Sequence, residues 1–120
     1  MEKLTKTEEP IMQIIWRLGP VFVKNIIQEL PEPKPPYNTV SSLVRILEAK
    51  GMVGYKAYGR TYEYFPLVSK AAYRKHMFGS LVKDYFDNSY ADLMSFMAKD
   101  GDLTSEEQED LKGFIKKHYG

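Results

Sequence analysis

The chain contains no cysteine, which removes disulfides, thiolate metal sites and nucleophilic thiols together and fits a reducing compartment. Long apolar runs are also missing. No stretch approaches the ~18 apolar residues of a membrane span, and the opening MEKLTKTEEP has no apolar run behind its charges, so a cytoplasmic protein is expected. Net charge is only +1 over 120 residues, too small by itself to announce a polyanion as partner. Residues 1–68 carry 9 Lys+Arg against 7 Asp+Glu and residues 69–120 carry 8 against 9, giving +2 and −1. The two histidines, His76 and His118, are isolated, and the HExxH, GxSxG and P-loop patterns do not occur. An enzymatic reading therefore lacks its parts. Asp84, Asp87, Asp92, Asp100 and Asp102 read as helix ends and solvated faces, so no metal, cofactor or small-molecule substrate is expected.

What the chain does have is helix punctuation and aromatics. Thr5 and Thr7 offer caps for a first helix over about Thr7 to Leu18, with Pro10 in its opening turn. Ile11, Ile14, Ile15 and Leu18 point inward, and Gly19-Pro20 ends it. Val21 to Val23 make a very short strand or the entry to a second helix over roughly Val23 to Leu30. Pro31, Pro33, Pro35 and Pro36 then forbid helix.

The stretch Tyr37 to Gly51 is the centre of the pattern. Val40, Leu43, Val44 and Leu47 fall at i, i+3, i+4, i+7 and form one apolar stripe, closed by Gly51 as a C-terminal stop. Asn38, Ser41, Ser42 and Arg45 repeat that spacing half a turn away. This polar face is short and carries one guanidinium, which suits either close approach to a DNA major groove or a serine-rich surface helix. After Gly51 the period changes: Val53, Tyr55 and Ala57 alternate with Gly54, Lys56 and Tyr58, and Thr61 to Phe65 is dense in strand formers beyond Gly59-Arg60. A hairpin with Arg60 at its tip is expected. Three helices followed by a hairpin is the order of a winged helix-turn-helix.

The remainder reads as helix. Ser69 caps a segment to about Phe86, Asp87-Asn88-Ser89 breaks it, a short helix carries Leu93, Met94, Phe96 and Met97, and Thr104-Ser105-Glu106-Glu107 is a capping box opening the last. About 50 residues of short helices cannot bury so many large apolar groups alone, so a second copy is expected against them. The predicted fold is thus mainly α with a small β wing: a winged helix-turn-helix DNA-binding domain over 1–68 and a helical dimerisation region over 69–120. The expected DNA contacts are Asn38, Thr39, Ser41, Ser42 and Arg45 from the helix, and Lys56, Tyr58 and Arg60 from the wing. On the wing these cations also suit an edge strand protected from aggregation. The expected dimer face uses Tyr73, Met77, Leu81, Tyr85, Leu93, Phe96, Met97, Leu111, Phe114 and Ile115. The competing class is a winged-helix module that binds protein and never touches DNA.

Four segments resemble the penicillinase-repressor family of bacterial winged-helix transcriptional regulators. They are Glu8 or Glu9 through Trp16 (E-x-x-I-M-x-I-I-W), Thr39 to Gly51 (T-V-x-S-L-V-x-x-L-x-x-K-G), Gly59 to Pro66 (G-R-x-Y-x-Y-x-P) and Leu103 to Glu107 (LTSEE). The resemblance implies a homodimeric repressor on a palindromic DNA operator, clasped by its C-terminal helices. It also implies derepression through a membrane metalloprotease sensor, with cutting before a Phe that maps to Ser95-Phe96. The family has Asn before that Phe, and many relatives carry Arg where this chain has Ile46. One branch senses copper with C-terminal cysteines, and copper sensing by that route is excluded by their lack.

Overall fold

The computed structural model describes residues 1–101 and 104–118, the side chains of residues 100, 114, 115 and 118 excepted. The element order is α1 (Glu8–Leu18), β1 (Val21–Phe22), α2 (Val23–Glu29), α3 (Tyr37–Ala49), β2 (Val53–Tyr58), β3 (Thr61–Pro66), α4 (Lys70–Phe86), α5 (Tyr90–Asp100) and α6 (Ser105–His118). The fold is a winged helix with a helical extension. The segment Val21 to Val23 supplies both a two-residue strand and the start of a helix. β1 joins the hairpin to give a three-stranded antiparallel sheet in the order β1-β3-β2, with Val21 opposite Tyr64 and Tyr55 opposite Tyr64 on the other side.

Two compact units divide at Arg74 and Lys75, inside α4 rather than at the expected boundary after Val68. The first turn of α4 belongs to the first unit for a reason the sequence hides. Trp16 Nε1 donates to the Val68 carbonyl at 2.8 Å, and the Trp16 ring packs on Tyr73 with centroids 5.6 Å apart. The Tyr73 hydroxyl in turn accepts from the Leu4 backbone N–H at 2.9 Å. Tyr73 was expected on a dimer face; it is instead buried in its own unit, where its hydroxyl satisfies a buried donor.

The core of residues 1–74 is built where the helical stripes meet. Ile11, Met12, Ile14 and Ile15 of α1, Val23 and Ile26 of α2, and Val40, Val44 and Leu47 of α3 are all buried, with Met52, Val53 and Tyr64 closing the sheet side. Leu43 stands at the edge of its stripe and is half-buried. α3 ends in a Schellman motif: Gly51, at φ +77°, donates to the Glu48 carbonyl, and Met52 donates to that of Leu47. That turn aims the chain into β2. At Gly54 an added Cβ would lie 3.0 Å from the Phe65 ring, so the hairpin packs closely there.

One charge pair lies inside this unit. Glu8 is 3% exposed, and its Oε1 accepts from Lys50 Nζ at 2.8 Å and from the Thr5 N–H at 2.9 Å. Thr5 Oγ1 answers by accepting from the Glu8 N–H at 3.2 Å, a reciprocal cap. Burial pushes the Glu8 carboxyl up, but its bonds to Lys50 and Thr5 outweigh that and hold it below the ordinary 4.5. The same bond raises Lys50 above 10.5, with burial opposing. The pair ties the start of α1 to the end of α3.

Residues 75–120 are different. Among their described side chains Val82 and Leu93 are buried, with Phe78, Phe86, Tyr90, Met94, Met97 and Leu111 half-buried around them. Ser89 caps α5 by accepting from the Asp92 N–H, and Thr104 and Glu107 form the expected capping box at α6.

Candidate nucleic-acid interface

The proline-rich turn before α3 delivers Tyr37 as its first residue, and Pro36 precedes the helix in extended geometry. Tyr37, Asn38 and Thr39 are therefore exposed on the opening turn, and Ser42 and Arg45 follow on the same outward side. At the far end of the sheet, Gly59 adopts φ +62° so that the chain reverses between Tyr58 and Thr61 and carries Arg60 out at the tip.

These two projections face one cleft of about 410 Å³. α3 contributes Tyr37, Asn38, Ser41 and Arg45 to it, and the wing contributes Arg60, Thr61, Tyr62 and Tyr64. The start of α2 adds Lys24. Three cations thus converge with an amide and several hydroxyls, and no acidic side chain is among the described residues that line the cleft. Burial, then the nearby Glu48 carboxylate, raises the Tyr64 hydroxyl above 10, with Arg45 opposing, so Tyr64 keeps its proton and stays a donor at neutral pH. Such a surface suits phosphate oxygens and base edges, which are acceptor-rich and anionic.

Of the predicted DNA contacts, the cleft brings together Asn38, Ser41, Arg45 and Arg60. Thr39 and Ser42 are exposed on α3 but do not line it. Lys56 and Tyr58 do not line it either: Tyr58 ends β2 beside the tip with its ring edge-on to Phe22, and Lys56 stands two residues back, opposite Glu63 in register, its Nζ 5.3 Å from the Tyr58 ring. Lys24, Tyr37, Thr61 and Tyr62 join the site without having been expected. Tyr37 lies one turn before Ser41 on α3 and shares its helical period, whereas Lys24, Thr61 and Tyr62 sit near element ends that the winged-helix order brings beside α3.

The expected dimer face is thinner than the apolar pattern suggested. Leu93 is buried in its own chain's small core, and Met97 and Leu111 pack half-buried against that core, because α5 and α6 cover one side of α4 within residues 75–120. Met77 is half-buried. Leu81, Tyr85 and Phe96 are left outward, the latter two 77% and 51% exposed, with Phe96 also 5.7 Å from Phe86 ring to ring. The side chains of Phe114 and Ile115 lie outside the described residues. Ser95, like Phe96, is exposed within α5.

Among the described residues no group of three His, Cys, Asp or Glu could hold a metal, and no helix is long and apolar enough to cross a membrane. Comparison with known proteins agrees with the fold. The family model described as penicillinase repressor matches residues 4–117. The methicillin resistance regulatory protein MecI of Staphylococcus aureus strain N315 is 22% identical over 116 residues, covering 96% of this chain and 94% of that protein. MecI of Mammaliicoccus sciuri matches to the same extent. The solution structure of the DNA-binding domain of the repressor BlaI superposes with a TM-score of 0.52 at 23% identity, over 61% of this chain and 94% of that one.

Proposed function

The chain belongs to the penicillinase repressor family, and from that premise we propose that it is a transcriptional repressor that reads double-stranded DNA with α3 and grips the adjoining backbone with the wing. The observation that carries this reading is the shared cleft, in which Arg45 of the helix, Arg60 of the wing tip and Lys24 of α2 face one space beside Asn38 and Ser41. α3 enters the major groove, where Asn38, Ser41, Ser42 and Arg45 reach base edges. Arg60 and Lys24 neutralise phosphates, and Lys56 lends longer-range charge.

The repressor works as a homodimer on a palindromic operator. Leu81 and Tyr85, one turn apart on α4, and Phe96 on α5 form the outward apolar surface that a second copy covers. Derepression proceeds by cutting at Ser95-Phe96 after a membrane metalloprotease sensor fires. That bond lies in a helical segment, so cutting requires α5 to open locally first.

A mobility-shift titration of the intact chain against genomic and random DNA at two salt concentrations tests the reading. A sequence-specific excess with a steep salt slope is expected. Arg60→Ala lowers the slope by about 0.9, the loss of one phosphate contact. Arg45→Ala costs ~1 to 3 kcal/mol of discrimination if it meets a base. Unchanged affinity in both variants contradicts the placement, and a shallow slope with no specific excess returns the chain to the protein-binding class.

A further inference from the structure

The exposed side of α3 carries two parallel strips. On the cleft side stand Asn38, Ser41 and Arg45, and beyond them Thr39, Ser42, Ile46 and Ala49 follow at i, i+3, i+7 and i+10. The second strip has no charge, is exposed throughout, and three of its four residues end in methyl groups. At its centre Ile46 is 44% exposed, whereas Val40, Val44 and Leu47 on the opposite side are buried to 1% or less. A single exposed aliphatic residue needs no explanation in general. Here, though, it sits four residues after Ser42 and one after Arg45, beside the residues that, on the proposed reading, reach base edges.

A major groove offers such a side chain one apolar partner. Guanine, adenine and cytosine edges present hydrogen-bonding groups, and thymine alone presents a methyl group at C5. A β-branched side chain, stiff at χ1 in a helix, would hold its methyls at a fixed depth with little entropy to lose. We propose that Ile46 is a specificity-determining residue that packs against a thymine C5-methyl in each operator half-site, supplying apolar readout beside the polar readout of Arg45. This rests on the DNA-binding reading above. It implies that a change to a polar residue at position 46 would alter which sequence is bound as well as how tightly.

The test removes one methyl from the DNA at a time. A bound sequence is first selected from randomised duplexes with the intact chain, and each thymine in it is then replaced by deoxyuridine, which lacks only the C5-methyl. The expected result is one thymine per half-site whose replacement weakens binding about three- to fivefold, the value of one buried methyl group. Ile46→Ala should weaken binding to the thymine duplex by at least as much and lose the thymine-over-deoxyuridine preference at that position, with no fall in its melting midpoint. Indifference of the unaltered chain to every replacement, or an undiminished preference in Ile46→Ala, overturns the proposal. Failure to select any sequence at all overturns the DNA-binding reading and this inference with it, an outcome distinct from specific binding that ignores the methyl.

Discussion

Residues 1–74 combine helices with a three-stranded sheet and residues 75–120 are mostly helical; both are rich in large apolar side chains, yet they use them differently. The first unit closes its own core: every helix gives a buried stripe, the sheet seals one side, and the buried Glu8 has partners in Lys50 and Thr5. The second gathers its described apolar residues around Val82 and Leu93 and leaves Leu81, Tyr85 and Phe96 in water. A unit that satisfies itself can present a rigid surface to DNA. One that does not has surface to spare for another copy of itself.

The comparison is broken most forcefully by charging the outward surface. Leu81→Asp with Tyr85→Asp replaces two apolar groups in each copy, and at ~1.5 to 3 kcal/mol for each buried large side chain the dimer should weaken more than a thousandfold. Sedimentation should show monomers with an intact helical signal, and operator affinity should fall with them. A dimer that survives both changes would place the clasp elsewhere.

Truncating one core at a time gives the next effect. Leu47→Ala should cost about 2 to 5 kcal/mol, read as a lower unfolding midpoint of residues 1–74, since Leu47 is fully buried. Leu93→Ala should act on residues 75–120 instead, at the lower end of that range because its surroundings are only half-buried. Hydrogen exchange resolved by residue separates the two. Equal loss of protection in both units from either variant would show that they unfold as one.

The smallest effect is the titration of the pair formed by the buried Glu8 and the partly exposed Lys50. Glu8 has a lowered folded pKa, so its contribution is complete above 4.5 and is lost as pH falls through the folded value. Lys50 has a raised one, so its contribution is complete below 10.5 and is lost as pH rises through the folded value. Melting of the first unit should be insensitive to this pair between about pH 5 and 10, and Glu8→Gln should remove part of the acid-side loss. If Glu8→Gln melts identically to the unaltered chain at neutral pH, the pair adds nothing to stability.

The elements were legible in the sequence because local chemistry sets them. Gly51 and Gly59 stop and turn the chain, the Tyr37 to Gly51 stripe has helical period, and Thr104 with Glu107 caps α6 as that spacing predicts. The destination of an apolar side chain was not legible. Tyr73 and Leu93 carry the same periodic signal as Leu81 and Tyr85, but two are spent inside their own chain and two are not. Contacts between distant residues were also hidden: nothing local links Glu8 to Lys50 or the Trp16 indole to the Val68 carbonyl. The site shows the same division. Asn38, Ser41 and Arg45 follow from one helical period, which Tyr37 shares one turn before Ser41, whereas Lys24, Thr61 and Tyr62 join it only through the meeting of three elements.

Amide chemical-shift mapping of the intact, isotopically labelled chain, titrated with a selected operator duplex, bears most directly on the reading of α3 as the DNA-facing element. The largest shifts are expected at the first two turns of α3, at Arg45 and Ile46, at Lys24, and at Gly59 to Thr61 of the wing. Saturable shifts confined to residues 75–118, with α3 and the wing unmoved, would contradict it.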